Sequence, residues 1–309
     1  MASMNSPSPT AAGLRGAADQ LASAYPPLLI QSERIANAIV HGAHGRRRTG
    51  PGSDFWQYRP YSPGDSISRI DWRKTARAGK TLIRESEWAA TNTVFVWASQ
   101  TAGMDFRSDM ANTTKRERAA VLAMTIATLA VRAGERVGVL GWPQAPGHTR
   151  LVLRRMAAWY SGEADEKFMS QSLPPQVPLP RHASCVLIGD FLDPLDKLRA
   201  RLGDIADAGL HGHIVQVTDP AEETLPYHGR TEFIEMNTGE KLVAGRAETL
   251  KQDYMAALAR HRDGLRQLAR QLGWTFAVHH TDQSPHPLLV SLYSRLSQRA
   301  GASALIRSG

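Results

Sequence analysis

The 309-residue chain is 42% apolar and 21% charged and carries a formal net charge of +8. That balance is ordinary for a soluble globular protein able to bury one large α/β core or two smaller ones. A single cysteine, Cys185, excludes an intramolecular disulfide and any multi-cysteine metal centre. Positive charge is concentrated at one end, since residues 1–92 hold 12 Lys/Arg against 7 Asp/Glu and the remaining 217 hold 25 against 22. An acidic or phosphate-bearing partner surface and a merely solvated basic face are both open readings of that excess.

In chain order, residues 1–27 are rich in Ala, Ser and Pro and lack the basic-then-apolar pattern of a leader peptide, which predicts a disordered tail. Leu28, Ile35 and Ile39, with Leu29 and Ala36 beside them, predict an amphipathic helix over Leu28–His41. A basic, glycine-bearing loop from Gly45 to Gly52 follows. The segment Gly50–Trp88 is dense in aromatic and charged residues around Pro63-Gly64-Asp65, where Gly64 supplies the positive φ of a type II turn. Its last part, Lys80–Trp88, alternates and reads as a strand.

Beyond it, short apolar runs alternate with longer amphipathic ones. Strands are predicted at Thr93–Ala98, Arg136–Trp142, Ser184–Gly189, Gly212–Thr218 and Trp274–His279. Helices are predicted at Lys115–Ala133, from Met156 to Tyr160 and onward, and at Leu195–Ala208, Arg246–Leu272 and Pro287–Gln298. Thr231–Met236 and Lys241–Val243 flank Asn237-Thr-Gly-Glu240 and read as a β-hairpin. Strands separated by helices of ten or more residues imply parallel pairing, hence a mostly parallel, doubly wound α/β sheet. The longest apolar stretch, Val121–Val131, is about half the roughly 20 residues a bilayer span needs. A cytoplasmic protein without a membrane span is therefore expected.

The residues Gly52, Phe55, Arg59, Tyr61, Pro63-Gly64-Asp65, Arg69, Ile70-Asp71-Trp72 and Ala76-Arg77 resemble the signature of the domain-of-unknown-function 58 family. Further matches extend the resemblance over residues 28 to 300. It implies that the signature precedes, and packs on, a von Willebrand factor A-like domain with Thr93–Ala98 as its central first strand. The domains expected are a tail at 1–27, a helix and signature segment at 28–92, the α/β domain at 93–300 and a tail at 301–309. The resemblance also implies a partner, because proteins of this kind are often encoded beside MoxR-type AAA+ ATPases.

Ligands of open α/β sheets bind outside the carboxyl ends of the strands, where Trp97–Thr101 and Gly189–Asp193 would meet. In von Willebrand factor A-like domains the first of these loops reads Asp-x-Ser-x-Ser and holds Mg²⁺. Here Trp97 stands at the aspartate position, Ser99 and Thr101 keep the hydroxyls, and Asp190 matches the second carboxylate. Mg²⁺ is usually anchored by one or two carboxylates, and an indole in place of one removes charge and adds bulk. A degenerate site without Mg²⁺ is expected; a metal held there would have Ser99, Thr101 and Asp190 as ligands. The plainer alternative has Ser99 and Thr101 capping the following turn and Asp190 capping the helix near Pro194.

Within the signature, Asp65, Arg69, Arg73 and Arg77 recur four apart, so a helical turn over Ser66–Ala78 would align the arginines. Arg59, Tyr61, Asp65, Arg69, Asp71, Trp72 and Arg77 are expected to form a largely internal network that clamps the segment onto the α/β domain. An exposed docking surface is the alternative. Arg46-Arg47-Arg48 make a small footprint for nucleic acid, and no recognised nucleic-acid module accompanies them. His211, His213, His279-His280 and His286 lack a positioned nucleophile, and no Gly-x-Ser-x-Gly elbow occurs. The function expected is a non-enzymatic protein-interaction adaptor without a cofactor, working with a MoxR-type AAA+ ATPase in remodelling or assembly of a client complex. A metal-dependent domain that captures a carboxylate and a basic nucleic-acid-binding protein are the alternatives.

Overall fold

The computed structural model describes residues 27–43, 55–61, 70–86, 92–163, 171–180 and 183–306. Helix α1 (Pro27–Ala43) buries Leu29, Ser32, Ala36 and Ile39, which recur at helical spacing. The signature folds as a small unit of strand β1 (Phe55–Pro60), helix α2 (Trp72–Ala78) and strand β2 (Leu82–Ser86). The two strands pair antiparallel, with Arg59 opposite Ile83. Main-chain bonds close the unit: Tyr61 N–H donates to Thr81 O at 2.9 Å and Asp71 N–H to Leu82 O at 3.0 Å. The Lys80–Trp88 strand is present in shortened form, whereas β1 has no counterpart in the sequence reading, although Trp56 and Tyr58 alternate with Gln57 and Arg59.

The rest of the chain runs β3 (Thr93–Ala98), α3 (Lys115–Arg132), β4 (Arg136–Val139), α4 (Arg150–Ala158), β5 (Ser184–Gly189), α5 (Leu195–Asp207), β6 (His211–Thr218) and the short α6 (Pro220–Thr224). A hairpin of β7 (Thr231–Ile234) and β8 (Lys241–Ala244) follows, then α7 (Ala247–Gln271), β9 (Thr275–His280) and α8 (His286–Ile306). Five strands make one wholly parallel sheet in the order β4-β3-β5-β6-β9. The α/β class and the parallel sheet expected from the alternating pattern are therefore present.

Three details differ from expectation. The middle strand is β5, not Thr93–Ala98, because the chain steps across β3 between β4 and β5; β3 is interior, with β4 on its outer side. Helix α4 begins at Arg150 rather than Met156, since Val152 and Leu153 already extend the buried stripe of Met156 and Ala157. Helix α8 runs to Ile306, so residues 301–306 are helical rather than tail.

Helix α3 is the hub. Residues Ala119 to Ala130 are buried without interruption, which requires neighbours all round the helix. Strands β3 to β6 pack on one side of it, and α1, α4 and α8 on the others. All six residues of β5 are buried, so both sheet faces are covered, as parallel sheets demand. Leu198, Leu202 and Ile205 of α5 and Leu265 and Leu268 of α7 belong to the same core. At Gly212 in β6 an added Cβ would collide with the Trp274 ring, so close approach of ring to backbone fixes glycine there. Cys185 is fully buried, and burial pushes its thiol far up, away from the reactive thiolate. Among the described residues no helix is long and apolar enough to cross a membrane.

Candidate functional site

The strand order reverses between β3 and β5, and that is where an open α/β sheet leaves a crevice at its carboxyl ends. Four elements deliver side chains to it. Ser99 and Thr101 follow β3, Asp190 follows β5, Lys115 opens α3, and Glu222 lies in α6 beyond β6. Thr114 caps α3 and shares a capping box with Glu117: its hydroxyl accepts from Glu117 N–H at 3.1 Å and its N–H donates to Glu117 Oε2 at 3.0 Å. The cap fixes the first turn, and Lys115 enters the crevice 1% exposed. Its Nζ lies 2.6 Å from Glu222 Oε1 and 3.4 Å from Asp190 Oδ2, with the Phe106 ring centroid at 6.0 Å. Burial alone would lower the lysine pKa; the carboxylates of Glu222 and then Asp190 outweigh it, and the net direction is upward.

Around this ion triad the polar groups form a continuous network. Asp219, fully buried, accepts from Ser108 Oγ at 2.5 Å, Ala221 N–H at 2.8 Å and Ser108 N–H at 3.0 Å. It thereby ties the loop before α3 to the end of β6. Arg262 of α7 grips Glu223 with two donors at 2.5 and 3.1 Å and gives Nε–H to Gln216 Oε1 at 3.0 Å. Gln216 Nε2 in turn donates to Asp190 O at 2.9 Å. Burial would raise the Glu223 carboxyl, but Arg262 holds it below the usual range. The next residue, Phe191, holds φ at 50°, in the left-handed region. Its carbonyl accepts from His261 Nε2 at 2.7 Å.

The hairpin leans over the same loops. Asn237 in its turn accepts from Gly103 N–H at 2.9 Å and donates to Glu235 Oε1 at 2.9 Å. A Cβ on Gly103 would come within 3.0 Å of Asn237 and 3.6 Å of Asp190 Oδ2, so the hairpin turn, the loop after β3 and Asp190 converge on that glycine. Ile234, Leu242 and Val243 are exposed on the hairpin strands, Leu242 to 60%.

In the signature, Asp71 is the N-cap of α2 and accepts from Lys74 N–H at 3.0 Å and Arg73 N–H at 3.1 Å. Helix α2 buries none of its residues; Trp72 is 64% exposed, and Tyr61 and Arg77 also face solvent. The largely internal network expected of these residues is thus corrected for Trp72 and Arg77, whose side chains the short helix leaves to solvent. Arg59 pairs through its backbone in β1. Asp65, Arg69 and Arg46-Arg47-Arg48 lie outside the described residues.

The model of the family described as "Protein of unknown function DUF58" matches residues 57–264. The chain belongs to this family. Uncharacterized proteins of Mycobacterium tuberculosis and Mycobacterium bovis are 27% identical to it over 308 residues, covering 94% of this chain and 94% of theirs. Among solved structures it is similar to a conserved hypothetical protein BatB of Bacteroides thetaiotaomicron, at 13% identity and a TM-score of 0.34, over 69% of this chain and 98% of that one. An aerotolerance-related membrane protein of Bacteroides fragilis is similar at 13% identity and a TM-score of 0.36, over 68% and 99%.

The DUF58 chain brings Ser99, Thr101 and Asp190 to one crevice, as their positions after β3 and β5 require. Ser99 Oγ and Thr101 Oγ1 are buried 3.4 Å apart. Neither plainer assignment holds: the turn Ala102–Asp105 has no side-chain cap from Thr101, and α5 has Pro194 at its N-cap and no side-chain cap from Asp190. Trp97 is buried against Phe191, ring centroids 6.2 Å apart. These residues do not fit Mg²⁺. The nearby carboxylates of Asp190 and Glu222 are already bonded to an ammonium, which would repel a dication. Among the described residues no group of three or more His, Cys, Asp or Glu is arranged to hold a metal. The histidines do not converge either: His213 meets Thr275 at 2.7 Å and His280 meets Glu223 at 3.7 Å.

Lys115, Asp219, Glu222, Glu223 and Arg262 are absent from the sequence-based site. Asp219-Pro-Ala-Glu222, placed after an apolar run, carries a readable helix-start signature. Lys115 carries no such signal, since a lysine in a first helical turn ordinarily faces water.

Proposed function

We propose that this DUF58 protein is a non-enzymatic interaction adaptor whose α/β domain is von Willebrand factor A-like and whose partner docks on the hairpin beside the crevice. One observation carries the reading. Ile234 and Val243 are exposed on one face, and Leu242 on the other, of a hairpin that Asn237 fastens to Gly103 at the crevice mouth, and apolar side chains left in water on a fixed element suit contact with a partner. The crevice is consistent with it, because its buried ammonium is held by two carboxylates rather than aimed at a substrate. The partner implied by the family resemblance is a MoxR-type AAA+ ATPase, with which the chain would act in remodelling or assembly of a client complex.

The test is co-purification of the full chain with the MoxR-type ATPase of the same organism. Leu242→Lys combined with Val243→Lys is expected to melt like the wild type and to lose the ATPase. Retention by that double variant would reject the hairpin as the docking face. Failure of the wild type to retain the ATPase would reject the partnership.

A further inference from the structure

Helix α2 of the signature leaves an aromatic and basic face in water. Asp71 caps it, and Leu82 N–H donates to Thr75 Oγ1 at 3.0 Å, so the Thr75 side faces β2. Seen down the axis, Trp72, Ala76, Arg73 and Arg77 follow one another over about 140° of the remaining surface. All four are exposed. Trp72 is the most exposed large apolar side chain among the described residues. Gly79 ends the helix with φ at 64°, and the exposed Lys80 follows.

The charge of this face has one sign. Residues 72–80 hold four Lys/Arg and no Asp/Glu, and the carboxylate next in sequence, Asp71, caps the helix. Arg73, Arg77 and Lys80 make no ion pair among the described residues. Like charges four apart on a helix repel, so Arg73 and Arg77 weaken α2 until an anion meets them. A water-exposed tryptophan adds little to the fold, whereas Trp and Arg dominate the energetic centres of protein interfaces.

Size favours a protein over nucleic acid. The seven residues of α2 span about 10 Å, and Arg73 and Arg77 lie about 6 Å apart along its axis. Two carboxylates one helical turn apart match that spacing. Tight binding to a nucleic acid commonly rests on about six to ten phosphate contacts, more than four cations supply.

We propose that this face docks an acidic helical segment of a protein partner, its carboxylates on Arg73 and Arg77 and an apolar side chain on the Trp72 indole. The face uses no hairpin residue and does not rest on the adaptor reading, so loss of either partner can be told from loss of the other.

Fluorescence anisotropy with the full chain tests this, using a labelled peptide of four Glu-Leu-Ala-Glu repeats blocked at both ends. The peptide is expected to saturate, and its counterpart with Gln in place of Glu to bind about tenfold or more weakly. Trp72→Ala, and Arg73→Gln combined with Arg77→Gln, each weaken the peptide about tenfold or more while unfolding in urea like the wild type. Leu242→Lys combined with Val243→Lys leaves its affinity unchanged. The proposal fails if the peptide does not saturate, if the Gln counterpart binds as well, if Trp72→Ala leaves the affinity unchanged, or if the hairpin pair weakens it as much. Tighter binding of a short thymidine single strand, lost in the same variants, overturns it in favour of nucleic acid.

Discussion

Lys115 Nζ stands 2.6 Å from Glu222 Oε1, so a buried charge joins the first turn of α3 to the helix after β6. Lys115→Met removes the cation and leaves Glu222 and Asp190 facing each other. The expected loss of stability is about 3 kcal/mol, measured by urea unfolding at neutral pH. The lysine pKa is raised in the folded chain, so its contribution is complete below the ordinary value of 10.5 and disappears as pH rises through the folded value. Wild type therefore loses stability in alkali in a way that Lys115→Met does not.

The same ammonium is expected to keep metal ions out. Titration of wild type with Mg²⁺ or Mn²⁺ is expected to give no saturable heat, whereas Lys115→Ala gains a site from Ser99, Thr101, Asp190 and Glu222. Micromolar Mg²⁺ binding by wild type that Asp190→Ala abolishes would refute this. Trp97→Asp is expected to create no metal site, because Trp97 is core: the substitution buries a carboxylate and empties ring volume, at about 3–5 kcal/mol.

Acid weakens the fold through His279. Burial first, then the charges of Arg118 and His280, push its pKa down to about 4 from 6.5. Protons then bind the unfolded chain preferentially between those values. This penalty is absent above pH 6.5 and grows as pH falls, reaching about 3 kcal/mol near pH 4. His279→Leu is expected to flatten that part of the pH–stability curve, read from denaturant midpoints.

In the signature, Asp71→Ala loses a helix cap and is expected to cost about 1 kcal/mol. Arg77→Ala, at an exposed last turn, changes stability by less than about 0.5 kcal/mol. A loss of several kcal/mol in either melt would restore the internal clamp.

Much of the fold is legible because local pattern and tertiary environment agree. Ser184–Gly189 is apolar from Cys185 onward and becomes the sheet's buried middle strand; Asn237-Thr-Gly-Glu240 forms the turn its residues favour. The crevice is legible only in part. Ser99, Thr101 and Asp190 follow strand ends and can be placed from that alone. Lys115 acquires its role from two carboxylates 75 and 107 residues away, a convergence that no local spacing encodes. The signature misleads for the converse reason, since mixed charge and aromatics at fourfold spacing suit a buried network and a solvated short helix equally.

Gly212→Ala probes the sheet itself. The added methyl meets the Trp274 ring, and the expected destabilisation is about 1–3 kcal/mol, measured by thermal unfolding. An unchanged melting temperature would mean that the ring has another place to go.

Phe191 leaves a different mark. With φ at 50°, its backbone gives up about 1–2 kcal/mol relative to a right-handed residue. Its neighbours impose the shape: Gln216 on the carbonyl before it, His261 on its own, and Trp97 against its ring. The loop that presents Asp190 is therefore held in shape from α7, by His261 directly and by Arg262 through Gln216. A change on α7 would thus be felt first just past the end of β5, where Asp190 meets Lys115.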